Sequence, residues 1–140
     1  MIAKDLFKKA SDKGDLDATF YVAYFKLKEA SLSENDENYF ESANLLRYVV
    51  AKEPEHVDAN YYLGYIHENG LGVDRDMRSA YRHYKVSCDA SNNTNSKALV
   101  KLGNMYFTGE GVGIQDKERA VEYYQRAADL GDQDGLNAMG

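Results

Sequence analysis

The stretch Ala98-Leu99-Val100-Lys101-Leu102-Gly103-Asn104-Met105-Tyr106-Phe107-Thr108-Gly109-Glu110-Gly111-Val112 decides the fold, because the chain carries it twice. Its earlier copy is Ala59-Asn60-Tyr61-Tyr62-Leu63-Gly64-Tyr65-Ile66-His67-Glu68-Asn69-Gly70-Leu71-Gly72-Val73. The Ala, the Leu-Gly pair, both glycines of Gly-x-Gly and the Val coincide at a spacing of 39 residues. Downstream, Asp76, Ala80 and Tyr84 recur as Asp116, Ala120 and Tyr124 at a spacing of 40, the additional residue falling near Gln115 in the linking loop. A period of this length marks an array of stacked supersecondary units.

Each unit reads as two helices. Leu63, Ile66 and His67, and then Leu102, Met105 and Tyr106, recur at i, i+3, i+4, which lays one apolar stripe along a first helix. Gly70 and Gly109 follow, where a left-handed residue ends a helix. A second helix is expected over roughly 76–89 and 116–130. Asp76 and Asp116 begin it, where a carboxylate accepts from unpaired amides and meets the positive end of the helix dipole. Ala80, Tyr84 and Cys88 mark its buried side in one copy, and Ala120, Tyr124 and Ala128 in the other. Gly64, Gly103, Ala80 and Ala120 let the two helices approach closely. The polar stretches Ser31–Asn38 and Ser91–Ser96 read as longer loops.

The same register reaches both ends. Ala3-Lys4-Asp5-Leu6-Phe7-Lys8-Lys9-Ala10 matches Ala120-Val121-Glu122-Tyr123-Tyr124-Gln125-Arg126-Ala127, and Gly14 falls on Gly131. The expected organisation is one repeat domain over 1–140. Residues 1–17 hold the second helix of a partial repeat, 18–58 a degenerate repeat, 59–97 and 98–134 two full repeats, and 135–140 the start of another. The unit at 18–58 is degenerate because Val22-Ala23 stands for Leu-Gly and no Gly-x-Gly-Val follows. The fold class is all-α, an αα solenoid of helix-turn-helix repeats. A chain that starts and stops within a unit is expected to be part of a longer array, or a subunit docking on neighbours in a larger assembly.

Composition narrows the function. The 140 residues are 44% hydrophobic and carry a net charge of −6, which opposes nucleic-acid binding. No apolar run is long enough to span a bilayer. A single cysteine excludes an intrachain disulfide and a multi-thiolate metal site. The start, Met1-Ile2-Ala3-Lys4-Asp5, lacks the order of a signal peptide, so a cytoplasmic location is expected. The endoplasmic-reticulum lumen or another organelle is the alternative, should a targeting segment have been lost.

The pattern Ala-x3-Leu-Gly-x2-Tyr-x2-Gly-x-Gly-Val, then Asp, Ala, Tyr-Tyr and Ala-Ala-x2-Gly, resembles the Sel1-like repeat, a relative of the tetratricopeptide repeat. The unit Ala98–Gly131 matches nearly every position. Ala59–Ala90 departs at His67, where the family has Tyr, and at Ser87-Cys88, where it has Ala-Ala. In the degenerate unit Tyr48, Ala51 and Pro54 are closer to a generic tetratricopeptide repeat. The resemblance implies a right-handed superhelix whose first helices line a concave face. It also implies an adaptor or scaffold for proteins rather than an enzyme. A disulfide-stapled secreted branch exists, from which a chain holding only Cys88 departs.

On that arrangement the inward positions of the first helices are Phe20, Tyr24 and Lys28, then Tyr61, Tyr65 and Asn69, then Asn104 and Phe107. These are the candidate binding residues for a partner peptide or helix. Aromatics exposed on such a face recognise another chain, and tyrosine adds a hydroxyl at low rotamer cost. The competing reading packs them between adjacent units. No catalytic residue, metal or cofactor is assigned. Gly109-Glu110-Gly111-Val112-Gly113 follows a helix and lacks the Lys-Ser/Thr of a phosphate loop. His56, His67 and His83, at spacings of 11 and 16, fit no ligand pattern, and Cys88 occupies a small core slot. Lys8-Lys9, Lys26 and Lys28 read as solvated cations, the competing reading for Lys28. Asn92-Asn93-Thr94 fits a glycosylation acceptor by pattern alone. Two alternative functions stay open: a regulatory or targeting repeat domain of a larger enzyme, and a helical-repeat RNA binder, which would need a basic inner face.

Overall fold

Five side chains in one register start five of the helices. Asp15, His56, Asp76, Asn95 and Asp116 each accept a hydrogen bond from the backbone N–H three residues on, at 3.0 Å in four cases and 3.3 Å for Asn95. Each satisfies an amide that the first turn leaves unpaired. The computed structural model describes residues 8–33, 36–131 and 135. Its helices are α1 (Leu16–Ser33), α2 (Asp36–Lys52), α3 (Val57–Asn69), α4 (Met77–Ala90), α5 (Ser96–Thr108) and α6 (Lys117–Asp129). Residues 8–12 are helical ahead of α1. There is no strand among the described residues.

The helices pack strictly in chain order. α1 lies on α2, α3 on α4 and α5 on α6, while α2 with α3 and α4 with α5 join the pairs. This is an αα solenoid. Asp76 and Asp116 cap α4 and α6 as their spacing predicts. Gly70 and Gly109 close α3 and α5 in the left-handed conformation, their N–H groups bonding the carbonyls of Ile66 and Met105. One expectation is corrected: Ser31–Asn38 is not a long loop, because α1 runs to Ser33 and α2 begins at Asp36. Ala30 is fully buried, and the hydroxyls of Ser31 and Ser33 bond back to the carbonyls of Lys28 and Glu29, which keeps the polar end helical. The expected further repeat at 135–140 lies outside the described residues except for Gly135. That residue is helical and buried, close against Ala127 and Ala128.

The recurring glycines serve packing. A Cβ on Gly64 would sit 2.7 Å from the Tyr84 ring, and one on Gly103 would sit 2.5 Å from the Tyr124 ring. The glycine of Leu-Gly therefore admits the tyrosine of the second helix, so the two are one feature of the repeat. The second glycine of Gly-x-Gly serves the joint between units. A Cβ on Gly111 would sit 2.5 Å from the Met77 carbonyl oxygen of the preceding unit, and one on Gly72 would sit 2.6 Å from the Phe40 nitrogen. In the degenerate unit Ala23 and Ser42 make the close approach instead, the Ser42 hydroxyl donating to the Ala23 carbonyl at 2.8 Å.

Two hydrophobic clusters result. One joins α1, α2 and α3 through residues including Phe20, Leu27, Leu46, Leu63 and Ile66. The other joins α4, α5 and α6 through Tyr84, Leu99, Leu102, Tyr106, Tyr123 and Tyr124 among others. The buried small residue late in α6 is Ala127; Ala128 is only partly covered. Between α3 and α4 runs a polar seam. Asn60 donates to the carbonyls of Pro54 and His56 and bonds the His83 ring at 3.1 Å, while the Ser87 hydroxyl donates to the Val57 carbonyl. His67 and His83 stack with centroids 5.7 Å apart. Burial lowers the proton affinity of both rings, to a pKa of about 4 for His83, with nearby Arg82 and Arg47 adding to the effect. Burial also pushes the Cys88 thiol up to about 12, which leaves it a packing residue.

Candidate protein-docking surface

The first helices α1, α3 and α5 meet one another through side chains. Tyr62 of α3 packs on Phe20 and Tyr24 of α1, at centroid distances of 6.0 and 5.6 Å. Lys101 of α5 reaches Glu68 of α3 at 3.2 Å and lies over the Tyr65 ring at 5.8 Å. Together they form one face, and that face carries two adjoining cavities which share Tyr62. One, of about 270 Å³, lies among Phe20, Tyr21, Tyr24 and Asp58. The other, of about 220 Å³, lies between Leu27, Lys28 and Ser31 of α1 and Tyr61 and Tyr65 of α3, with Tyr39 of α2 and Lys97 of α5 at its edge.

The expected binding residues divide on this face. Lys28, Tyr61 and Tyr65 line the second cavity, and Tyr24 lines the first. Tyr65 is 36% exposed and Phe107 46%. Tyr61 is half-buried, against Tyr62 at 5.1 Å and Tyr84 at 5.6 Å. Phe20 borders the first cavity but is only 6% exposed: it belongs to the apolar cluster of α1, α2 and α3, its ring tilted against those of His56 and Tyr62, so it offers a partner little surface. Phe107 lies beyond the cavities, under the ammonium of Lys117. Asn69 turns its amide back to the Tyr65 carbonyl. Asn104 accepts the Tyr124 hydroxyl at 2.6 Å, so its carbonyl oxygen is already engaged.

Electrostatics follow from what the second helices push through. The Tyr84 hydroxyl passes beside Gly64 and donates to Glu68 at 2.7 Å; burial first, then Glu68, raises its pKa. Glu68 thus holds both Tyr84 and Lys101, and its charge is used within the fold. Tyr62 is likewise raised, by burial and then by Tyr24 and Asp58, so it stays a neutral hydrogen-bonding ring. The smaller cavity is lined by tyrosines, lysines, a serine and a leucine, with no carboxylate, imidazole or thiol among its described lining residues. This chemistry suits holding a chain by ring faces, hydroxyls and ammonium groups.

Sequence reasoning missed Tyr62, Tyr39, Ser31 and Lys97. Periodicity along one helix finds only the positions that share that helix's inward face. The cavities open between neighbouring first helices, where the flank of α3 meets α1. The signal for Tyr62 is its pairing with Tyr61, since adjacent helical residues point about 100° apart and cannot both face inward.

Fold and face together define an αα-repeat protein with an aromatic groove along its first helices. The model of the Sel1 repeat matches residues 2–15, 57–92 and 96–132, more than half of the sequence, and the chain belongs to the Sel1 repeat family. Sel1-repeat proteins are typically non-enzymatic scaffolds for protein interaction. A sel1-like repeat-containing protein of Acanthamoeba polyphaga mimivirus is 35% identical over 71 residues, 51% of this chain and 12% of that protein. A Sel1 repeat protein from Oxalobacter formigenes superposes with a TM-score of 0.74 at 26% identity, over 96% of this chain and 51% of that one. Cysteine rich protein B of Helicobacter pylori gives 0.63 at 26%, over 96% of both chains. A protective antigen of uropathogenic Escherichia coli with an SLR fold gives 0.78 at 24%, over 97% of this chain and 27% of that one, and shows the fold alone. The chain spans 12% of the mimiviral relative it matches. Among the described residues no helix is long and apolar enough to cross a membrane.

Proposed function

We propose that the chain is an adaptor that docks a partner protein, as a peptide or helix, on the face formed by α1, α3 and α5. The observation that carries this reading is the tyrosine-lined pair of cavities shared at Tyr62. Tyr24, Tyr61, Tyr62 and Tyr65 each leave ring surface open, while Tyr84 and Tyr124 close the interior beneath them. A partner would cover that ring surface and gain contacts that water now supplies. Family membership supports the same reading.

The test compares captures from native extract. Tyr65→Ala combined with Phe107→Ala should remove a co-purifying protein that the unmodified chain retains. Tyr48→Ala combined with Val121→Ala, exposed on α2 and α6, should retain it. Loss in the second pair with retention in the first places docking on the second helices and contradicts the proposal.

A further inference from the structure

We infer that the cavity between α1 and α3 receives an acidic side chain of an extended peptide, with apolar neighbours of that side chain lying along the tyrosines. The inference rests on the docking reading above and names the chemistry of the partner. Acids border three further cavities of the molecule: Glu53 and Glu55 in one, Asp36 and Asp74 in another, and Asp58 in the cavity beside Phe20. The cavity proposed to take the acid is bordered by Lys28 and Lys97 and by no described acid. Both lysines are exposed, and neither has an ion-pair partner among the described residues. Other lysines nearby differ: Lys26 is paired with Glu41 at 2.8 Å and Lys101 with Glu68.

One of the two ammonium groups sits on an aromatic ring. Lys28 lies over the Tyr24 ring at 5.3 Å, which presents its stem along the groove and its charge at the rim. Leu27 and the rings of Tyr61, Tyr62 and Tyr65 make the floor and sides, and the Ser31 and Tyr39 hydroxyls border it. A carboxylate entering here meets two cations without displacing any acid, and charge-assisted bonds are about twice as strong as neutral ones. At the other end of the groove Asp58 borders the larger cavity. The groove is therefore polarised, and an acid is matched only at the lysine end. A nucleic acid would need a longer run of cations than two, and would meet Asp58.

The experiment uses the full chain and two fluorescein-labelled peptides of Leu, Glu and Ser, identical except that the second has Gln for every Glu. Anisotropy at low salt should show the acidic peptide binding about tenfold more tightly than its amide twin, with the gap narrowing as salt rises. Lys28→Gln with Lys97→Gln should abolish the gap at unchanged helicity, and Lys28→Arg with Lys97→Arg should keep it. Equal binding of the twins, both lost with Tyr65→Ala, overturns the acidic preference and leaves the docking face standing. No binding of the acidic peptide, or binding unaffected by the double Gln variant, also overturns it. Displacement of the acidic peptide by polyuridylate, lost in the double Gln variant, overturns it in favour of RNA.

Discussion

Gly103 and Tyr124 illustrate how one residue fixes another across a helix pair. The ring occupies the space a Cβ would need, and its hydroxyl then reaches Asn104. Gly103→Ala should therefore overpack the joint and destabilise the chain by about 1–3 kcal/mol, read as a lowered urea midpoint. His83 makes a second prediction at this scale. Its folded pKa is about 4 against an ordinary 6.5, so the unfolded chain takes up the proton first as pH falls. The neutral ring's contribution is complete above about pH 6.5 and is lost on the way down to about 4. The loss should amount to about 2 kcal/mol once the ring's partial exposure is allowed for. His83→Gln should flatten that acid limb in urea titrations at successive pH values.

At the scale of elements, the sequence shows where α4 and α6 start and where α3 and α5 stop, because caps and left-handed glycines act within one turn. Asp76, Asp116, Gly70 and Gly109 are legible for that reason. Asp116→Ala should cost about 1 kcal/mol of stability, measured by thermal or urea unfolding, since its carboxylate holds the Arg119 amide at the start of α6. The end of α1 was not legible. Its polar residues at Ser31 and Ser33 suit a loop, but the burial of Ala30 and the return of both hydroxyls to carbonyls of the preceding turn keep the helix running. The binding face was partly legible on the same grounds. Spacing along a helix finds Tyr24, Tyr61 and Tyr65, but it cannot say that Phe20 is covered by Tyr62 and His56 from α3 and its cap. Lys97 and Tyr39 reach the cavity from other helices, so no single-helix periodicity points to them.

At the scale of the whole molecule, a repeating helix pair produces two different surfaces. The second helices send Tyr84 and Tyr124 inward past the small residues, while α1 and α3 keep Tyr24, Tyr61, Tyr62 and Tyr65 partly open on the groove face. The joint between units, with Gly72 and Gly111 seated on the preceding second helix, stacks those first helices side by side and so turns separate rings into a groove. The polar seam at Asn60, His83 and Ser87 runs beneath this stack, where the two apolar clusters meet. Amide hydrogen exchange on the chain with and without a captured partner tests the docking claim most directly. Added protection is expected in α1, α3 and α5, centred on residues 24–28 and 61–65, with α2, α4 and α6 little changed. Added protection centred on α2, α4 and α6, with the first helices unchanged, would contradict it.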